Sequence, residues 1–501
     1  MRRPRAATAL RWLTAVALVA LAACSRVATA PIGPPVQPDT TPPPITHEMR
    51  GLWVATVRNI DWPSRPTLTA DQQRAELDNI LDRAKATGFN AIFLQVRSAG
   101  DAMYASPLEP WSASLTGVQG KDPGYDPLAY AVAQAHARGL ELHAWINPYR
   151  AGNTSDSMSL APNHIFHSRR DLVRVYGGSL WFDPGEPEVQ NEVIAVVKDI
   201  VQRYDVDGVH ADDYFYPYQV KDANGVTLDF PDSASYAKSG STLARDDWRR
   251  GNVDQFIQRL YREVHALKPN IDVGISPFGI WRPGNPPSVA GLDAYATIYA
   301  DSRKWLQQGW VDYLAPQLYW QDGAPQQSFS ALLDWWISQN TLGRNLWPGM
   351  AAYRVNDGTA TAFSATEIPD QIRLTRARPG ATGELLYNTG STLTKNGGAV
   401  AASIAPLYAN LAIAPTSSWL DNTLPPVPTF VVRGAALDIT PAVGEAARWW
   451  LVRARIGGGW HSMLVFGDQR SIALSGAPEH VIVNAVDEAG NASADVRWTA
   501  P

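Results

Sequence analysis

From Met49 onward the chain repeats one unit: a short, almost wholly apolar run, then a longer stretch whose apolar residues recur every three or four positions. The apolar runs are RGLWVATV (50–57), FNAIFLQVR (89–97), LELHAWINPYR (140–150), VDGVHA (206–211), IDVGISPFGIW (271–281), VDYLAPQLYW (311–320), LWPGMAAYRV (346–355) and GELLYNTG (383–390). Continuous runs of this kind suit strands buried on both faces of a parallel sheet. The periodic stretches predict helices over 70–88, 127–139, 187–203, 246–268, 299–308, 326–339, 366–378 and 399–412. Thr69 is placed to cap the first helix and Gly88 to end it. Eight buried strands, each followed by a helix, predict an α/β fold: a (β/α)8 TIM barrel with enlarged βα loops over residues 48–420. An open doubly wound sheet would place a Gly-rich phosphate loop after its first strand, and RGLWVATVRN has none.

After Asn422 the period changes. TLPPVPT reads as a linker, and residues 424–501 alternate apolar and polar positions in short runs separated by turn residues, which predicts a small all-β sandwich. The proline linker predicts a module that can be removed without unfolding the barrel.

The N-terminal end has its own pattern. Arg2, Arg3, Arg5 and Arg11 precede an apolar run too short for a comfortable membrane span, and the run stops at Leu21-Ala22-Ala23-Cys24. This matches a bacterial lipobox, so residues 1–23 read as a lipoprotein signal peptide and Cys24 as the lipidated first residue. Ser25 after it, in place of Asp, resembles lipoproteins sent to the outer membrane, facing the periplasm. Cys24 is the only cysteine, so no intrachain disulfide is possible. Seven prolines fall between residues 25 and 47, and residues 24–47 read as a semi-extended tether. Removing the signal takes the formal net charge from −5 to −9, which argues against nucleic acid and against polybasic docking on anionic lipid.

In a barrel the chemistry sits at the C-terminal strand ends. Strand four ends in HADDYFYPY: two adjacent carboxylates, Asp212 and Asp213, then a run of aromatics. Neighbouring acids on an apolar strand are costly to bury without a task or strong partners, and rings beside acids make a sugar pocket. The bland alternative is a strand-end Asp pair that caps loop amides. Around the pair the strand ends supply Gln95, Arg97 and Asp101; His143, Trp145, Asn147 and Arg150; His210 and Tyr214; Trp281; and Gln317, Tyr319 and Trp320 as candidate binding residues. Asp61, Asp101 and Asp322 are reserve candidates for an acid. Asp207, Asp272, Asp312 and Glu384 stand at strand starts, on the face that supports stability. No two histidines have metal-ligand spacing, so neither a metal nor another cofactor is expected.

The segments RGLWVAT, FLQVRSAGDAMY, HAWINPYR, WFDPGEPEV, VDGVHADDYFYPY, ISPFGIWRPG and LAPQLYW, in this order at strand ends, resemble those of the glycosyl hydrolase family 10-like lipoproteins. VIVNAVDEAGNAS is similar to the last hairpin of a fibronectin type III module. The first resemblance implies cleavage of peptidoglycan glycan strands, including strands stripped of stem peptides. The xylanase mechanism that the family name suggests wants Glu at the ends of strands four and seven, and this chain has Asp212 and Asp213 at the first and no acid at the second. An adjacent acid pair resembles instead the pair of substrate-assisted hexosaminidases. There Asp212 would orient the 2-acetamido group, Asp213 would be the general acid/base, and Tyr319 would hydrogen-bond the acetamide. Arg97 and Arg150 would then meet a muramic acid carboxylate or, equally, pair with an acid in the barrel mouth. Two other readings stand beside this one: a non-catalytic glycan-binding lipoprotein, and a hydrolase for another polysaccharide.

Overall fold

The buried runs become strands because each carries β-branched, aromatic or leucine side chains on both faces and is bounded by turn residues. In a computed structural model of the protein, which describes residues 41–501, they are β1 (Met49–Val54), β2 (Ala91–Arg97) and β3 (Glu141–Ile146); then β4 (Arg150–Gly152), β5 (Val173–Tyr176) and β6 (Ser179–Phe182); then β7 (Gly208–Ala211), β8 (Asp272–Ile275), β9 (Tyr313–Leu314), β10 (Asn345–Leu346), β11 (Gly349–Ala351) and β12 (Gly383–Tyr387). One parallel sheet takes nine of them in the order β10-β9-β8-β7-β3-β2-β1-β12-β11. Its two edge strands are separated only by Trp347 and Pro348, and the Trp347 amide donates to Leu314 O while the Leu385 amide donates to Pro348 O. The two edges are therefore consecutive pieces of one segment, and the curled sheet meets itself there.

Most helices lie where the periodicity puts them, but the one expected over 299–308 is only Ser302–Gln307, and the one expected over 399–412 stops at Ile404, just before Pro406. The first, Ala70–Thr87, starts on a capping box between Thr69 and Gln72 and stops at Gly88, whose φ of 98° suits glycine. Strands β8 and β9 are much shorter than their apolar runs, which continue as irregular barrel-mouth chain. The three-stranded sheet β4-β6-β5 is an excursion after β3 that the apolar pattern did not predict.

Inside the curled sheet Trp53, Phe93, Trp145, Tyr313 and Trp347 form an aromatic core. Two glycines make room for it. A Cβ at Gly208 would lie 2.1 Å from His143 Nδ1, and one at Gly274 would lie 2.0 Å from the Tyr313 ring.

Beyond the barrel, β13 (Thr429–Arg433), β14 (Ala436–Thr440) and β17 (Ser471–Ala473) form one small sheet. A second holds β15 (Trp449–Ile456), β16 (Gly459–Phe466), β18 (His480–Val486) and β19 (Val496–Thr499). Leu437, Ile439 and Ile472 from the first share a core with Trp450, Val452 and Val483 from the second. Neither sheet hangs free on a linker. The other face of β15 packs Trp449 and Leu451 against Ile413, and Phe466 stacks on His136 at 4.6 Å. Arg448 reaches Asp207 at the start of β7, Ser417 reaches Asp272, and Trp419 Nε1 donates to Asp312. Three of the four strand-start acids are thus the docking points of the C-terminal segment, while Glu384 accepts from the Tyr408 hydroxyl.

The signal sequence, Cys24 and the tether up to residue 40 lie outside the described residues. Among the described residues no helix is long and apolar enough to cross a membrane.

Candidate active site

The ends of β1, β2, β3, β7 and β12 and the chain following β8 and β9 surround a cavity of about 280 Å³. Asp212 and Asp213 are the two acids in its wall, and Arg150 is the one cation there. Both carboxylates are buried, at 4% and 2% exposure.

The two acids are held differently. Asp212 Oδ2 accepts from Trp145 Nε1 at 3.1 Å and from Asn147 Nδ2 at 3.3 Å, so donors from β3 and the turn after it fix that carboxylate. Asn147 is itself locked, because its Oδ1 accepts from the Arg150 amide at 2.9 Å. Asp213 Oδ2 accepts from the Tyr218 hydroxyl. Burial first, and the neighbouring Asp213 second, push the Asp212 carboxyl up to about 7 against the opposing pull of Arg150. Burial also raises Asp213, while Tyr218 and Gln317 pull it back. Burial thus raises both carboxyls, and the charge of the neighbouring Asp213 adds to the rise of Asp212.

Of the residues singled out by sequence, Gln95, Trp145, Arg150, Tyr214, Gln317 and Tyr319 line this cavity with the acid pair. Asn147 stands directly behind Asp212. The Arg150 guanidinium lies over the Tyr214 ring at 4.5 Å, and Tyr319 stacks on Tyr387 at 6.1 Å.

The others stand elsewhere. Arg97 does not line this cavity: its guanidinium is buried against Glu109, at 2.6 Å, and also donates to the carbonyls of Asn147 and Pro148. A buried guanidinium needs that many acceptors, and they leave none of its face for a ligand. Asp101 is consumed by its own turn, accepting from Ser98 Oγ and the Ala99 amide. Trp281 donates to Asp301 and stacks on Trp335, and Trp320 sits edge-on to Phe278; neither ring lines the cavity. His143 and His210 are fully buried beneath the cavity floor, His143 stacked on Phe93 at 4.4 Å. Burial keeps both imidazoles neutral by pushing them down.

Among the reserve acids, Asp322 accepts from Ser328 and Ser330 where the helix Phe329–Gln339 begins. Asp61 binds the amides of Ala55 and Gly390 and ties the first βα loop to the last; burial pushes it up to about 6.

Sequence reasoning did not select Trp53, Tyr218, Ser276 or Tyr387 as binding residues, and all four line the cavity. Trp53 and Ser276 share the inward parity of Phe93 and Gly274, so period-two counting from those positions finds them.

The family described as "Glycosyl hydrolase-like 10" matches residues 48–364. Glycosyl hydrolase YngK of Bacillus subtilis is 39% identical over 393 residues, covering 76% of this chain and 76% of that protein. Glycosyl hydrolase DigH of Escherichia coli K12 is 35% identical over 403 residues, covering 74% of this chain and 90% of DigH. Among solved structures, the PgaB (BpsB) glycoside hydrolase domain from Bordetella bronchiseptica is 14% identical with a TM-score of 0.47, over 72% of this chain and 98% of that one. The catalytic domain of β-amylase from Paenibacillus polymyxa is 13% identical with a TM-score of 0.46, also over 72% and 98%; at these scores neither structure bears on the substrate. With a family match over most of its length and relatives of this identity, the chain belongs to the glycosyl hydrolase-like 10 family and is a glycoside hydrolase.

Proposed function

We propose that this glycoside hydrolase cleaves the glycan strands of bacterial peptidoglycan, peptide-stripped strands included, by substrate-assisted chemistry with retention. The observation that carries the reading is the pair Asp212–Asp213, two adjacent acids in an aromatic cavity whose wall holds no other acid. A nucleophile and an acid facing each other across the scissile bond would come from separate strands. An adjacent pair serves instead a reaction in which the sugar brings its own nucleophile.

Asp212, fixed by Trp145 and Asn147, accepts the N–H of the 2-acetamido group and aims its carbonyl oxygen at the anomeric carbon. That N–H favours the anionic form of Asp212, and Asp213 carries the proton that the leaving oxygen needs. As the acetamide oxygen bonds to the anomeric carbon, the glycosidic bond breaks and Asp213 gives its proton to the leaving oxygen. Asp213 then takes a proton from the water that opens the cyclised intermediate. Tyr319 hydrogen-bonds the acetamide, and Arg150 meets the lactyl carboxylate of muramic acid. Both wall sugars carry the acetamide this chemistry needs.

The lone cysteine in LAAC and the proline-rich stretch after it support a lipid-anchored enzyme of the cell envelope, on the outer membrane facing the periplasm. The two C-terminal sheets with their shared core support a fibronectin type III-like sandwich.

Mass spectrometry of products from purified sacculi, with and without prior amidase treatment, tests the substrate. Anhydro-free reducing-end fragments are expected, more of them after amidase; no fragments from either sample defeats the reading. A thiazoline mimic of the cyclised intermediate is expected to inhibit competitively, and a glycosyl group trapped on either carboxylate would rule out the substrate-assisted route.

A further inference from the structure

Beneath the acid pair a line of polar side chains runs down the otherwise aromatic barrel interior, and its hydrogen-bond directions follow from one donor. Trp53 Nε1 has only a proton to give, and it lies 3.1 Å from His210 Nε2. His210 Nε2 is therefore an acceptor, and the proton of this neutral ring sits on Nδ1. Nδ1 lies 3.1 Å from the Tyr313 hydroxyl, which must accept from it. Tyr313 then gives its own proton to His143 Nδ1, 3.2 Å away. His143 carries its proton on Nε2 and points it at Glu141 Oε2, at 3.5 Å. Every donor in the line faces away from the cavity.

The upper end of the line is Ser276. Its Oγ lies 2.9 Å from the same His210 Nε2, which has no proton to offer, so the serine hydroxyl is the second donor, sharing that nitrogen's one lone pair with Trp53 in a three-centre hydrogen bond. Ser276 is 3% exposed and lines the cavity beside the acid pair: its amide donates to Ala211 O, the residue before Asp212. Its single proton is committed downward, and what its oxygen offers the cavity is lone pairs.

We propose that Ser276 is a specificity-determining residue, held as a hydrogen-bond acceptor by the line His210–Tyr313–His143–Glu141, and that it selects a sugar hydroxyl or amide N–H at that place in the cavity. The substrate class rests on the wall-glycan reading above; the acceptor role does not. Ser276 acts on binding and discrimination, and His210 and Tyr313 are positioning residues for it.

Two measurements test this on the full chain. Long-range 1H–15N correlation of the 15N-histidine-labelled protein reads the tautomers directly. His210 is expected as the Nδ1–H form and His143 as the Nε2–H form, and either ring in the other tautomer overturns the proposal. The second compares wild type, Ser276→Ala and Ser276→Thr on soluble wall-glycan oligosaccharides and on analogues in which one donor at a time is deoxygenated or N-methylated. Wild type is expected to lose about tenfold to a hundredfold in kcat/KM on one analogue, the range for a buried acceptor left unpaired. Ser276→Ala is expected to lose a similar factor on the parent glycan and to stop distinguishing that analogue, whereas Ser276→Thr, which keeps the hydroxyl, restores the discrimination. Discrimination by Ser276→Ala equal to that of wild type overturns the proposal. A wild type that cleaves no amino-sugar glycan overturns the substrate reading alone, and the tautomers then decide the acceptor role by themselves.

Discussion

Replacing Arg448 with Ala should loosen the whole chain, although Arg448 lies at the far end of the barrel from the acid pair. Its guanidinium reaches Asp207 through Nε at 2.8 Å and also through Nη2, and the two side chains are 10% and 6% exposed. Asp207 in turn holds His136 Nε2 at 2.9 Å and the Leu142 amide at 2.7 Å. Burial alone would raise the Asp207 carboxyl, but Arg448 and His136 outweigh it and keep it well below the usual carboxylate range. Breaking a buried pair by removing one partner costs about 3–5 kcal/mol. His136 and the Leu142 amide remain in the variant, so a loss of about 3 kcal/mol, the low end of that range, is expected. The contact of Arg448 with half-exposed Asp205 adds little to this.

The assay is denaturant unfolding of wild type, Arg448→Ala, Asp207→Asn and the double variant. A coupling energy of about 2 kcal/mol is expected from the cycle, with little dependence on salt because the pair is buried. Asp207 has its folded value lowered, so its contribution is complete above the unfolded value of about 3.9 and fades as pH falls toward the folded one. Additive single effects, or an Arg448→Ala variant within about 0.5 kcal/mol of wild type, would refute the reasoning.

The same interface changes the expectation for truncation. The linker composition predicted a removable module, but deletion of 424–501 uncovers Asp207 and Trp449's apolar bed, and an aggregating or protease-sensitive barrel is expected on limited proteolysis. Asp213→Asn should lose roughly 10²–10⁴ in rate on glycan and much less on an activated aryl glycoside, because only the former needs a protonated leaving oxygen; Asp212→Asn should lose alike on both, as steady-state kinetics would record. Asp212 has its folded value raised, so its ionisation costs stability as pH climbs from about 3.9 through about 7, and Asp212→Asn should raise the melting temperature more at pH 8 than at pH 5. Cys24→Ala should move the protein from the membrane to the soluble fraction on cell fractionation with unchanged activity on purified glycan.

The order of strands and helices was legible because burial on both faces leaves uninterrupted apolar runs, and the acid pair was legible because two carboxylates at the end of such a run are expensive. What failed to show was partnership across the chain. Arg97 and Arg150 look alike in sequence, each a cation closing a strand. One pairs with Glu109, in a loop whose path no periodicity announces, and the other lies over Tyr214 in the cavity. The docking of the last sheets was hidden for the same reason. Asp207, Asp272 and Asp312 could be assigned to the strand starts, but nothing local tells that Arg448, Ser417 and Trp419 return to them. Ser276 is a small residue in a mixed stretch, and its role depends on a tautomer set by Trp53.

Gly208 and Gly274 carry a consequence for how this sequence can change. Each glycine has ceded its side-chain volume to a ring from another strand, His143 in one case and Tyr313 in the other. Alanine at 274 demands a smaller neighbour at 313, and that neighbour would no longer have the hydroxyl that links the two imidazoles. A side chain at either glycine therefore calls for a second change at the ring it meets. A demand of pure packing, made by missing atoms, thereby freezes a piece of chemistry several residues away.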